Sequence, residues 1–122
     1  MHRNVKSKAF APFWKTMYLV ALAYPEKPTR HDKKRYRTFY NSFIEVLPCK
    51  VCKKYTKTVI KKNCPLDYTS RDTLMRGIYA WKVAVTAKLR RQGIPVKPEK
   101  PYTAVRKKYL GLVASKCAAT CS

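Results

Sequence analysis

Six apolar residues, Tyr36, Phe39, Tyr40, Phe43, Ile44 and Leu47, follow one another at steps of three, one, three, one and three. Only an α-helix gathers that spacing on one face. Thr29 and Asp32 precede the stripe as a variant capping box, with Asp where Glu is usual, and Pro48 closes it. Helical spacing recurs on either side. Phe13, Trp14, Met17, Val20, Ala21 and Tyr24 form an earlier face that Pro25 and Pro28 stop. Residues 50 to 62 predict a shorter helix ended by Asn63-Cys64-Pro65. Thr69-Ser70-Arg71-Asp72 is another cap, followed by the face Leu74, Ile78, Trp81, Val85 and Leu89. Gly93, Pro95, Pro98 and Pro101 then break the chain into a loop. A last short helix is expected from about Thr103 to Val113, with Val105, Tyr109 and Leu112 inward.

No alternating strand pattern of useful length appears, so the expected fold class is all-α: four antiparallel helices with an additional short C-terminal helix. At 122 residues there is room for one core. The chain divides into a basic N-terminal arm (1–10), a helical domain (11–113) and a flexible tail of small residues (114–122).

The charge is far from balanced. Lys and Arg number 28 against 6 Asp and Glu, a net charge of +22. Such a field attracts anionic partners, whether nucleic acid or an acidic protein surface, and it also suits a plainly solvated surface. Met1 to Lys8 is polar and the apolar run Met17 to Tyr24 is too short and too interior for a signal peptide. No stretch approaches the roughly 18–20 apolar residues of a membrane span. The expectation is an intracellular protein, in which cysteine patterns more often mark redox or metal chemistry than structural cross-links.

Five cysteines are present: Cys49, Cys52, Cys64, Cys117 and Cys121. Cys49-Lys50-Val51-Cys52 reads as a redox-active dithiol at the start of a helix. Exposed amides and Lys50, Lys53 and Lys54 favour the thiolate there. Cys117 and Cys121 are close enough in sequence to act as a shuttle pair that exchanges with the first. A zinc site drawing on Cys49, Cys52, Cys64 and one tail cysteine is the alternative, although no second CxxC or CxxH knuckle accompanies it, and no metal is expected.

In this order the features resemble the Erv/ALR family of flavin-dependent sulfhydryl oxidases, over about residues 11 to 112. Trp14 and an apolar helix ending Tyr24-Pro25-Glu26-Lys27-Pro28 look like the family's first helix and its exit. Phe43-Ile44-Glu45-Val46-Leu47-Pro48 enters the CxxC as family members do, and Tyr79-Ala80-Trp81 leads into the fourth-helix signature. The resemblance implies a four-helix bundle holding FAD against the CxxC. Cys52 would be the flavin-proximal thiol and Cys49 the interchange thiol. Electrons would pass from thiol-containing client proteins through FAD to molecular oxygen. It implies cofactor contacts from Trp14, Tyr18 and Tyr24 on the first segment. Lys82, Val85, Thr86 and Lys88 would supply them from the fourth helix, and Tyr109 from the last. Family members commonly pair as homodimers. Minimal versions of this kind look like those of large DNA viruses, placing the protein in the host cytoplasm or the virion.

Two stretches depart from the family. Tyr18 stands where the family usually has His, and Lys82-Val83-Ala84-Val85-Thr86 stands for His-Asn-x-Val-Asn. Tyr18 can stack, Lys82 can reach a phosphate and Thr86 can donate a hydrogen bond. The same departures, with the charge of +22, motivate an alternative: a flavin-free descendant serving as a basic structural protein of a capsid or as a nucleic-acid-binding protein.

Overall fold

Helix order follows the proline punctuation of the sequence. In a computed structural model, residues 7–47 and 50–120 are described, with side chains for 11–47, 53–58 and 61–112. They form α1 (Ser7–Leu22), α2 (Arg30–Glu45), α3 (Lys50–Tyr55), a π-helical segment (Thr56–Ile60), α4 (Lys61–Asn63), α5 (Arg71–Arg91) and α6 (Tyr102–Thr120). Residues 50–63 act as one third helix with a wider turn in its middle. No strand occurs among the described residues. The expected all-α architecture of four main helices and a C-terminal fifth is therefore the observed one.

Local chemistry explains the boundaries. Thr29 caps α2: its hydroxyl accepts from the Asp32 N–H at 3.1 Å, and its own N–H donates to the Asp32 carboxylate at 2.9 Å. Each such cap contributes about 1 kcal/mol. At α5 the cap falls one residue later than the Thr69–Asp72 spacing suggests. Ser70 is the N-cap and Thr73 reciprocates, while Thr69 donates to Asp67. Asp72 is thereby free to accept from Arg76 and Tyr102, each at 2.7 Å. The C-terminus of α5 closes as a Schellman motif. Gly93, at φ +81°, donates to the Arg90 carbonyl and Ile94 to that of Leu89.

Two features differ from the sequence expectation. α1 begins at Ser7, inside the stretch read as a basic arm. α6 continues to Thr120, past the expected end at Val113 and through the stretch read as a flexible tail. Ala114, Ala118 and Ala119 carry no apolar stripe, but alanine has the strongest intrinsic helix preference.

The core lies where α1 packs on α5 and α6. Met17, Tyr18, Ala21, Leu74, Ile78 and Trp81 are its buried centre. α2 is joined to α1 by the Tyr40 hydroxyl, which donates to the Met17 carbonyl at 2.8 Å, and by contact of Phe13 with Phe43. The Trp81 indole N–H donates to the Cys64 carbonyl at 2.5 Å, fixing the end of the third helix against α5. Residues 92–101, containing Pro95, Pro98 and Pro101, form a strap between α5 and α6. Tyr79 holds it, donating to the Lys100 carbonyl at 2.6 Å.

Candidate functional site

Charge contacts flank the CxxC segment from both sides. Lys57 pairs with the Glu45 carboxylate at 2.7 Å, and Lys53 donates to the Glu45 carbonyl at 3.3 Å. The Lys57 hydrogen bond holds the Glu45 carboxyl below the usual range. The end of α2 and the start of the third helix are thus tied across residues 48 and 49. Cys49 and Cys121 lie outside the described residues. Cys52 belongs to α3 and Cys117 to α6, with side chains outside the description. Of the ligands in the zinc alternative, only Cys64 has a described side chain, and it is exposed.

Four of the eight residues carrying the cofactor expectation converge, joined by a fifth residue that sequence reasoning did not single out. Tyr18 of α1 stacks on Tyr109 of α6 with ring centroids 4.7 Å apart. On α5, Lys82 and Thr86 are one helical turn apart and both engage Glu99 of the strap. Thr86 donates to the Glu99 carboxylate at 2.9 Å and Lys82 pairs with it at 3.1 Å. The Glu99 side chain is only 13% exposed and that of Lys82 31%. Burial, reinforced by the Glu99 charge, drives the Tyr18 hydroxyl well above the usual tyrosine range, and the same two causes raise Tyr109.

Tyr18 is 1% exposed. Its hydroxyl is the one buried side-chain polar atom among the described residues that lacks a hydrogen-bond partner. Buried hydroxyls are nearly always partnered, so this one carries an unused hydrogen-bonding position.

Val85 and Trp14 have a different setting. Both line an apolar recess with Met17, Phe43, Thr56 and Trp81, walled by α1, α2, the π-helical segment and α5. Thr56 is buried there, one helical turn beyond Cys52 in sequence. Lys88 lies farther along α5, its ammonium 4.0 Å from the centroid of the Tyr55 ring. Tyr24 has other partners altogether. Its hydroxyl donates to the Tyr68 carbonyl at 2.6 Å, and its ring meets the edges of Tyr36 and Tyr68. These contacts make Tyr24 part of the scaffold around the α1–α2 connection. Glu99 escaped the sequence reading because it is one acid on a proline-rich loop, 13 residues from Thr86. The only available signal was its rarity, as one of six acids in so basic a chain.

Comparisons with known proteins agree with this architecture. The crystal structure of the yeast Erv1 core superposes with a TM-score of 0.72 at 27% identity, covering 89% of this chain and 86% of that one. A probable FAD-linked sulfhydryl oxidase, R368, of Acanthamoeba polyphaga mimivirus is 52% identical over 40 residues, 33% of this chain and 28% of that protein. The mitochondrial FAD-linked sulfhydryl oxidase ERV1 of Saccharomyces cerevisiae is 33% identical over 78 residues, 64% of this chain and 41% of that protein. An FAD-linked sulfhydryl oxidase of African swine fever virus is 26% identical over 80 residues, 66% of each chain. The chain therefore spans less than half the length of the first two relatives. The profile of the Erv1 / Alr family matches residues 11–109, from the first turns of the α1 face to Tyr109. By that match, over a span that includes the CxxC and every residue of the Tyr18–Glu99 cluster, the chain belongs to the Erv1 / Alr family.

Proposed function

We propose that the chain is an FAD-linked thiol oxidase that forms disulfides in client proteins. The observation that carries the reading is the buried, unpartnered hydroxyl of Tyr18, set among aromatic faces and hydrogen-bonding side chains in a domain whose relatives are named for FAD. The residues fit such a group in kind. Trp14, Tyr18 and Tyr109 offer ring faces, Thr86 a hydroxyl and Lys82 a cation for a phosphate. Lys88 adds a second cation on the same helix, and Val85 an apolar wall.

The chain's own chemistry resides in Cys49 and Cys52. Lysines and a helix start favour the thiolate form, and closing the pair from dithiol to disulfide releases two electrons and two protons, part of the protons leaving when the thiolate forms. Cys52 is the cofactor-side thiol and Cys49 the one that exchanges with partners. A client dithiol attacks the Cys49–Cys52 disulfide, leaves oxidised, and returns the pair to its reduced form. Cys117 and Cys121 relay between client and Cys49 by the same exchange. The chemistry that a bound FAD supplies is acceptance of the two electrons and their delivery to molecular oxygen as hydrogen peroxide. The two viral relatives support action inside an infected cell, and pairing as a homodimer follows the family expectation.

The test combines flavin loading with oxygen uptake. Protein reconstituted with FAD should be yellow and consume oxygen with dithiothreitol. Cys52→Ser and Cys49→Ser should each lower uptake by more than about a hundredfold while retaining the flavin. A protein that takes up no FAD and consumes no oxygen would sink the reading. The charge of +22 favours the flavin-free binding protein as a second reading. It requires steeply salt-dependent binding to polyanions that is unchanged in the Cys49→Ser, Cys52→Ser double variant.

A further inference from the structure

Lys82 and Thr86 present a cation and a hydroxyl donor from successive turns of α5, the pairing that a phosphate oxygen accepts from. In the folded chain both are directed to one carboxylate, that of Glu99. A buried carboxylate satisfies a lysine and a hydroxyl as well as a phosphate does, and it carries the same sign of charge. The Glu99 charge also reaches the Tyr18 hydroxyl, which is buried and without a partner. The polar end of the site thus contains an internal anion and an unfilled hydrogen-bonding position.

We propose that Glu99 is a built-in competitor for the anionic part of the ligand: its carboxylate occupies Lys82 and Thr86 until a phosphate of the bound dinucleotide takes its place. This deepens the reading above and rests on it. The exchange has a mechanical basis. Glu99 is on the strap, whereas Lys82 and Thr86 are on a 21-residue helix, so the carboxylate can leave without disturbing α5. Tyr79, bonded to the neighbouring Lys100 carbonyl, keeps the strap anchored when it does. The consequence is a site whose affinity for a phosphate-bearing flavin is held down by its own acid, while a flavin without phosphate gains nothing from removing it.

Flavin-free protein titrated with FAD and, separately, with riboflavin, following quenching of flavin fluorescence, reads this directly. Glu99→Gln keeps the shape and removes the charge. It should bind FAD about tenfold more tightly, with riboflavin unchanged within about twofold. Adding Lys82→Met to Glu99→Gln should abolish that gain. If Glu99→Gln does not fold, judged by its helical circular dichroism, Glu99→Asp replaces it. The shorter acid grips both partners less well and should shift FAD affinity in the same direction by about threefold. Unchanged or weaker FAD binding overturns the proposal, as does equal tightening of both flavins, which would mean only a loosened strap. If no variant binds either flavin, the FAD reading itself falls, a result distinct from flavin binding that ignores Glu99.

Discussion

Two groups of buried tyrosines are built on opposite terms. Around the α1–α2 connection, each hydroxyl of Tyr24 and Tyr40 donates to a main-chain carbonyl, of Tyr68 and Met17 respectively. Arg71 completes that group by donating to the Tyr24 carbonyl at 2.7 Å and pairing with Glu26. Between α1, α5 and α6, Tyr18 is just as deeply buried and its hydroxyl donates to nothing. The first group ties segments distant in sequence, so its polar atoms stabilise the fold. The second leaves hydrogen-bonding capacity unused inside the core, which folding alone would not favour.

The largest effect ought to come from alkali, where the two groups act together. Burial pushes Tyr68 up to about 12 and lifts Tyr18 and Tyr40 still farther above the usual range. A tyrosine raised in this way contributes stability that is complete below its unfolded value of about 10 and is lost as pH rises through its folded value. Thermal unfolding should therefore move steeply to lower temperature above about pH 10. Removing either Tyr18 or Tyr40 should flatten the slope. A melting temperature indifferent to pH in that window would show that these rings are not buried.

At neutral pH the groups should separate. Tyr40→Phe removes a satisfied buried bond and is expected to destabilise by about 1–2 kcal/mol in a urea melt. Tyr18→Phe removes an unsatisfied one, so its stability should stay within about 0.5 kcal/mol of the parent or rise slightly. The same Tyr18→Phe change should weaken FAD binding by about tenfold if the hydroxyl serves a ligand. Equal destabilisation by the two substitutions would erase the contrast.

Much of the bundle was legible because apolar spacing and caps are local signals. The Tyr36–Ile44 part of the stripe, the Thr29–Asp32 box and the stop ahead of Pro25 and Pro28 each act within a few residues, and each appears in the structure. What stayed hidden has other physical causes. The π-helical turn at Thr56–Ile60 differs from an α-turn by one residue of backbone pairing, which side-chain periodicity scarcely registers. The shift of the α5 cap from Thr69 to Ser70 is a choice between adjacent hydroxyls that Thr73 decides. Continuation of α6 through Ala114–Thr120 has no stripe to announce it. Tyr18, Lys82, Thr86 and Tyr109 follow from the resemblance, but Lys82 and Thr86 are joined through Glu99, which only the folding back of the strap brings near.

The proline content of that strap has a thermodynamic consequence of its own. Pro95, Pro98 and Pro101 fix three backbone angles before the chain folds, so the unfolded ensemble has fewer conformations to surrender across residues 95–101. The Gly93 and Ile94 N–H groups, bonded to the Arg90 and Leu89 carbonyls, fasten the strap's beginning, and Tyr79 fastens its far end through Lys100. A segment that is stiff along its length and held at both ends loses little entropy on returning to the same place. The carboxylate at position 99 therefore comes back to Lys82 and Thr86 as a preorganised group, at an effective concentration that a freely moving loop of equal length would not reach.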